Sequence, residues 1–124
     1  MEEQQLLQGI DTVIIRVSNI QTSLEWYLKK LGLKLIWKEE KMKLAVLDTN
    51  GPTSLTLWET DVPVKIDPAT ASYPIFKTPS ASALRLQLSD KGIETADLVK
   101  DDYTEYFFFY DPDGNVLEAC QVHD

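Results

Sequence analysis

The sequence predicts an α+β fold of two β-α-β-β-β modules, and three observations carry that prediction. A strand-like segment, a helical segment, a stopping glycine and further strand-like segments recur in the same order in both halves of the chain. The helix-ending glycines Gly32 and Gly92 provide one alignment point, and the turn glycines Gly51 and Gly114 a second. The third observation is the turn Asp111-Pro112-Asp113-Gly114-Asn115, set between Tyr106–Tyr110 and Val116–Cys120. Pro112 presets φ, Asp113 and Asn115 can bond nearby backbone, and Gly114 tolerates positive φ, so the segment reads as a β-hairpin.

Taken in order, Met1–Gly9 is polar and mixed, and is expected to be an arm with partial order at most. Thr12–Val17 alternates, with Val13, Ile15 and Val17 on a core face and Thr12, Ile14 and Arg16 on a wetter one. Ser18 or Asn19 caps a first helix, Ile20–Leu31, where Leu24, Tyr27, Leu28 and Leu31 recur at helical spacing before Gly32. Leu33–Lys38, Lys43–Asp48 and Ser54–Glu59 read as strands, with Asn50-Gly51-Pro52 as the turn before the last of them. Asp61–Ser72, holding Pro63 and Pro68, reads as the connecting loop. Beyond it come a strand at Tyr73–Thr78 and a helix opening at Pro79 behind Thr78 as cap. Gly92 stops that helix, and strands follow at Ile93–Val99, Glu105–Tyr110 and Asn115–Val122. The organisation is therefore one domain over residues 1–124, with module one at about 10–60, a loop at about 61–72 and module two at about 73–122.

Bulk properties exclude several function classes. The formal net charge of −8 argues against nucleic acid, which needs a basic face. No apolar run is long enough to span a bilayer and no signal-like N-terminus is seen, so a cytoplasmic protein without membrane contact is expected. Cys120 is the single cysteine, which precludes an intramolecular disulfide and a multi-cysteine zinc site; it reads as a small buried residue. The single histidine, His123, sits next to the C-terminus and reads as a surface residue. No phosphate-cradling glycine-rich loop or nucleophile elbow is present. Glu39-Glu40 and Asp101-Asp102 read as solvated turn charges.

Sliding one half on the other sets Thr12 opposite Tyr73 in the opening strands and Thr56 opposite Glu118 in the closing strands. With Arg16, and with Trp58 joining Thr56 by alternation, these residues form a candidate binding face. Two readings stand for it. In one, Arg16 holds an anionic or carbonyl-bearing group, Glu118 a cation or a proton, and the rings offer flat surface. In the other, Arg16 and Glu118 neutralise each other as an ion pair. Trp26, Tyr27 and Trp37 read as core or dimer-interface anchors, and the run Phe107-Phe108-Phe109 as a strand apolar on both faces.

Three stretches of this sequence resemble the vicinal oxygen chelate superfamily of glyoxalases, bleomycin-resistance proteins and extradiol dioxygenases. They are Val13–Ile20, then Ser23-Leu24-Glu25-Trp26-Tyr27 with Leu31-Gly32-Leu33, and Tyr110–Glu118. The resemblance covers nearly the whole chain after Gly9. It implies curved mixed sheets forming a cup, a homodimer, and in the family's enzymes a divalent metal held by His or Glu at the positions of Thr12, Thr56, Tyr73 and Glu118. Only Glu118 keeps a strong ligand there, so no metal or other cofactor is expected. The leading expectation is a metal-independent binder of a small, partly apolar or aromatic molecule in the cup. The alternative is a lyase, isomerase or dioxygenase relative, either metal-dependent or using Glu118 as its catalytic group.

Overall fold

The computed structural model describes residues 4–123. Of the arm expected at Met1–Gly9, the first three residues lie outside the described residues; the remainder is exposed and in no helix or strand. Module one contains β1 (Thr12–Val17), α1 (Ile20–Lys29), β2 (Lys34–Glu39), β3 (Leu44–Asp48) and β4 (Ser54–Glu59). Module two contains β5 (Ile75–Lys77), α2 (Ala81–Asp90), β6 (Val99–Lys100), β7 (Thr104–Tyr110) and β8 (Val116–Val122). The sheet orders, β1-β4-β3-β2 and β5-β8-β7-β6, are the same path walked twice. In each sheet the first strand pairs parallel to the last and the other pairs are antiparallel. The duplicated β-α-β-β-β fold is thus as the sequence predicts.

Local chemistry explains most boundaries. Asn19 caps α1, its Oδ1 accepting from the Thr22 amide at 2.9 Å. The Glu59 carboxylate adds a second acceptor, taking the Ile20 amide at 2.9 Å while pairing with Lys43 at 3.1 Å. Those bonds hold its pKa below the usual carboxylate range, the Ile20 amide being the first cause. Each helix stops within three residues of a glycine in the left-handed region, Gly32 at φ 73° and Gly92 at φ 80°.

Several boundaries differ from expectation; α1, for one, ends at Lys29 rather than Leu31. The second helix is capped by Ser80, whose Oγ accepts from the Ala83 amide at 3.2 Å, so Thr78 is not the cap and Pro79 lies outside the helix. β5 opens at Ile75 rather than Tyr73: Pro74 has no amide to donate to a ladder, although its carbonyl accepts the Glu118 amide at 3.2 Å. The strand expected at Ile93–Val99 shrinks to a Thr95–Phe109 bridge and the short β6. Its ladder is interrupted where Arg85 Nε takes the Ala96 carbonyl at 2.7 Å.

One apolar cluster spans both modules, including Val17, Tyr27, Leu47, Leu55 and Leu57 from the first and Leu88, Phe107, Phe109, Leu117 and Ala119 from the second. Phe107 and Phe109 face this core while Phe108, between them, lies half-buried on the other face. Tyr27 is wholly buried with Trp26 packed edge-on at 4.9 Å. Trp37 is not a core anchor: a bulge between Leu35 and Trp37 disturbs β2, and its ring stays exposed. Among the described residues, no helix is long and apolar enough to cross a membrane.

Candidate functional site

The hairpin turn that joins β7 to β8 also joins the modules. Asp111 is buried, and both of its oxygens face donors. Oδ1 accepts the Asp113 and Asn115 amides at 3.0 and 2.8 Å; Oδ2 accepts Tyr27 Oη and Asn115 Nδ2, both at 2.9 Å. Asn115 Nδ2 also donates to the Arg16 carbonyl at 3.0 Å, and Asp113 Oδ2 accepts the Ser18 amide at 3.1 Å. Burial pushes the Asp111 pKa up, against the pull of these bonds. The same residue, with burial, raises the Tyr27 phenol well above its ordinary value. This turn therefore fixes the start of β8 against the end of β1. Asp111 itself, rather than Asp113 or Asn115 alone, organises the turn.

On β1 and β4 the candidate residues share the face that turns away from the helices. Thr12 pairs with Ser54, Ile14 with Thr56 and Arg16 with Trp58. The hydroxyls of Thr12 and Thr56 are 2.8 Å apart, Ser54 Oγ donates to Thr12 Oγ1 at 2.8 Å, and Thr12 Oγ1 also reaches the Ser54 carbonyl at 3.1 Å. These groups satisfy one another. Arg16 lies with its guanidinium carbon 4.5 Å from the centre of the Trp58 ring, and its Nε and one terminal nitrogen donate to the Trp58 and Glu59 carbonyls, each at 3.1 Å. Trp58 is held in turn by its Nε1, which donates to the Met42 carbonyl at 3.1 Å. The Arg16–Glu118 ion pair weighed from sequence is not formed.

In module two, Glu118 pairs with Ile75 on one side and Phe108 on the other. It is 6% exposed and its carboxylate has no hydrogen-bond or ion-pair partner among the described residues. Burial pushes its pKa up. Tyr73, just ahead of β5, packs edge-on against Phe108 with ring centres 5.3 Å apart, and Tyr106 packs on the same ring at 5.9 Å. Cys120 follows Glu118 on that face, and burial and then the Glu118 charge push its thiol up, away from a reactive thiolate. His123 falls one residue past β8, off Glu118's parity, with its amide donating to the Tyr103 carbonyl at 2.8 Å.

A cleft of 710 Å³ lies where the modules meet. Its walls are Val13–Arg16 of β1, Asn115 and Val116, and the connecting segment on both sides of its middle, Thr60 with Val62 to Ile66, and Ala71 to Pro74. Arg16 and Tyr73 line it; Thr12, Thr56, Trp58 and Glu118 do not. The six candidates thus fall into a shared wall of Arg16 and Tyr73, the Trp58 ring that backs Arg16, a closed hydroxyl cluster of Thr12 and Thr56, and the Glu118 carboxylate set apart beside Phe108. Sequence reasoning treated 61–72 only as a connection and missed Val62, Val64, Lys65 and Ile66 as cleft lining. The signal was there in Val62, Val64 and Ile66, β-branched residues alternating with Pro63 and Lys65, where a solvated loop would be polar.

The residues at the family's ligand positions do not fit a transition metal. Threonine hydroxyls engaged with each other and a phenol are weak donors beside one carboxylate. Among the described residues, no group of three or more His, Cys, Asp or Glu side chains is gathered in a metal-binding arrangement.

The family model for the glyoxalase/bleomycin resistance protein/dioxygenase superfamily matches residues 9–119. No curated protein matches the chain. Among solved structures, the glyoxalase family protein from Enterococcus faecalis is 27% identical with a TM-score of 0.75, over 94% of this chain and 99% of its own. TnmS3, an antibiotic binding protein from Streptomyces sp. CB03234, is 19% identical with a TM-score of 0.76, over 97% of this chain and 100% of its own. Lactoylglutathione lyase from Agrobacterium tumefaciens is 13% identical with a TM-score of 0.74, over 93% of this chain and 94% of its own.

Proposed function

Since the chain belongs to the glyoxalase/bleomycin resistance protein/dioxygenase superfamily, we propose that it binds a small, partly apolar or aromatic molecule in the cleft between its modules, without a metal. The observation that carries the reading is the cleft itself: 710 Å³, walled mainly by aliphatic side chains with Tyr73 and Arg16 among them. That volume suits a drug-sized ligand, and a few polar groups among apolar walls is the usual composition of such sites. The weak donor set at the family's metal positions supports the metal-free part. The likeness to an antibiotic binding protein and to a lyase alike leaves activity to be argued from the site, because one fold hosts both.

A second reading rests on Glu118. A mostly buried glutamate whose carboxylate has no protein partner among the described residues, its pKa raised by burial, is suited to taking up and returning a proton at a ligand atom placed over the Phe108 side of the sheet. In this reading the protein is a metal-independent lyase or isomerase. A homodimer accompanies either reading. Ile14 and Ile75 stand 51% and 57% exposed on β1 and β5, and Trp37 is exposed on the edge strand β2. A second copy covering such side chains would remove apolar surface from water.

Elemental analysis of native-purified protein, paired with a thermal-shift screen of flat apolar molecules, tests the proposal. Metal-free protein whose melting temperature rises with a subset of the screen is the expected result. About one tightly held transition metal per chain would overturn the metal-free reading. Turnover of a screened molecule that disappears in Glu118→Gln would move the conclusion to the second.

A further inference from the structure

We infer that the ligand of this cleft is an organic anion, a flat or branched apolar body carrying a carboxylate or similar acidic oxygen group that docks on Arg16 and Lys65. The inference deepens the cleft-binding reading above and rests on it.

The chain is strongly acidic overall, with a net charge of −8, yet no carboxylate lines the cleft. Its two charged lining residues are Arg16 and Lys65, both cationic. Neither has a carboxylate partner among the described residues, so both charges are free to meet a guest. The cleft is therefore a local reversal of the protein's charge, and a cleft lined by charge of one sign favours a guest of the opposite sign.

Arg16 is also prepared for the task. Stacking on Trp58 and donation to two main-chain carbonyls fix the guanidinium plane, while the remaining terminal N–H groups have no acceptor among the described residues. A planar group already immobilised loses little entropy on binding and presents paired donors to a planar anion. Lys65 comes from the connecting segment and supplies a second positive charge. The rest of the wall is mostly aliphatic, with Ile14, Val62, Val64, Ile66 and Val116, and adds the polar side chains of Thr60, Ser72, Tyr73 and Asn115, so the remainder of the ligand is mainly apolar. A purely cationic guest would leave these two charges facing a like charge.

The test is a set of one- to three-ring aromatic carboxylic acids, each with its neutral carboxamide and its aminomethyl counterpart, titrated calorimetrically into the wild-type protein and into Arg16→Gln and Arg16→Lys. The acids are expected to bind about tenfold tighter than their amides, with the aminomethyl compounds weakest. Arg16→Gln should bring acid and amide to equal affinity, while Arg16→Lys, which keeps the charge, should retain part of the preference. Lys65→Gln should cut acid affinity by about threefold without touching the amides. Binding in which amides or amines equal or exceed the acids, or a preference unchanged in both Arg16→Gln and Lys65→Gln, overturns the anion inference and leaves the cleft-binding reading standing. No binding by any compound overturns the cleft-binding reading, and the inference falls with it.

Discussion

In the first module the matched positions Thr12 and Thr56 close on each other, hydroxyl to hydroxyl at 2.8 Å, with Ser54 joined to the same cluster. In the second, the matched Tyr73 and Glu118 stay apart: the phenol ring lies edge-on to Phe108, and the carboxylate is buried without a partner. The backbone plan is the same in both, down to sheet order and the parallel pairing of first strand with last. Duplication thus fixes where the four side chains stand and leaves their chemistry free to diverge. The first module supplies a satisfied, inert floor together with the Arg16 anchor, and the second holds Glu118, the one acid among the four matched positions. Function is to be sought on the asymmetric side of each pair, and three substitutions bear on that view in descending size of effect.

The largest effect belongs to the junction that makes two modules one molecule. Asp111→Ala removes four hydrogen bonds at once and strands Tyr27 Oη and Asn115 Nδ2 in a buried place. A loss of about 3–5 kcal/mol in denaturant unfolding is expected. Asp111→Asn should also be costly, because each oxygen faces two donors and an amide nitrogen would face two donors wherever it sat. A loss below about 1 kcal/mol for Asp111→Ala would mean that the modules hold together without the turn, and the halves would then be separable in stability as well as in chemistry.

Next in size is Thr56→Val, which keeps the shape and removes one hydroxyl from the closed cluster. Thr12 still has the Ser54 carbonyl and Ser54 Oγ, so the expected cost is about 1 kcal/mol, with no change in ligand affinity by calorimetry. Loss of ligand binding at unchanged stability would show that the first module's floor is not inert, and the contrast between the halves would fail.

The fold was legible because its signals are local. Alternation in Thr12–Val17, helical spacing in Leu24–Leu31 and the glycines after each helix depend on neighbours in the chain, and the structure follows them closely. The errors came where tertiary contacts override local pattern: Arg85 taking the Ala96 carbonyl breaks a strand that Ile93–Val99 would otherwise make. The face shared by Thr12, Arg16, Thr56 and Trp58 was also legible, since strand parity alone sets it. Partner choice was not. Nothing in the sequence tells that Arg16 would lie on Trp58 rather than meet Glu118, because that depends on the angle between sheets. The lining role of Val62–Ile66 was hidden for a similar reason, as the path of a connection is set by the bodies at its two ends.

The smallest and most discriminating effect is that of Glu118→Gln on stability. Burial raises the folded-state pKa of Glu118 above its ordinary value, so the folded protein holds this proton more firmly than the unfolded chain does. The sign follows: as pH rises from the unfolded pKa through the folded one, the wild type loses stability, and above the folded value it carries the cost of a partly desolvated charge. Glutamine mimics the protonated form at every pH. The variant should therefore melt a few degrees higher than wild type at about pH 8, and the gap should close as pH falls to about 4, near the ordinary glutamate value. Thr56→Val should show no such pH dependence, because no hydroxyl in its cluster titrates in that range. A Glu118→Gln variant that melts lower than wild type at about pH 8 would mean the carboxylate is held by a favourable partner in the folded state. Both modules would then be closed, and the case for proton chemistry on the second would go with it.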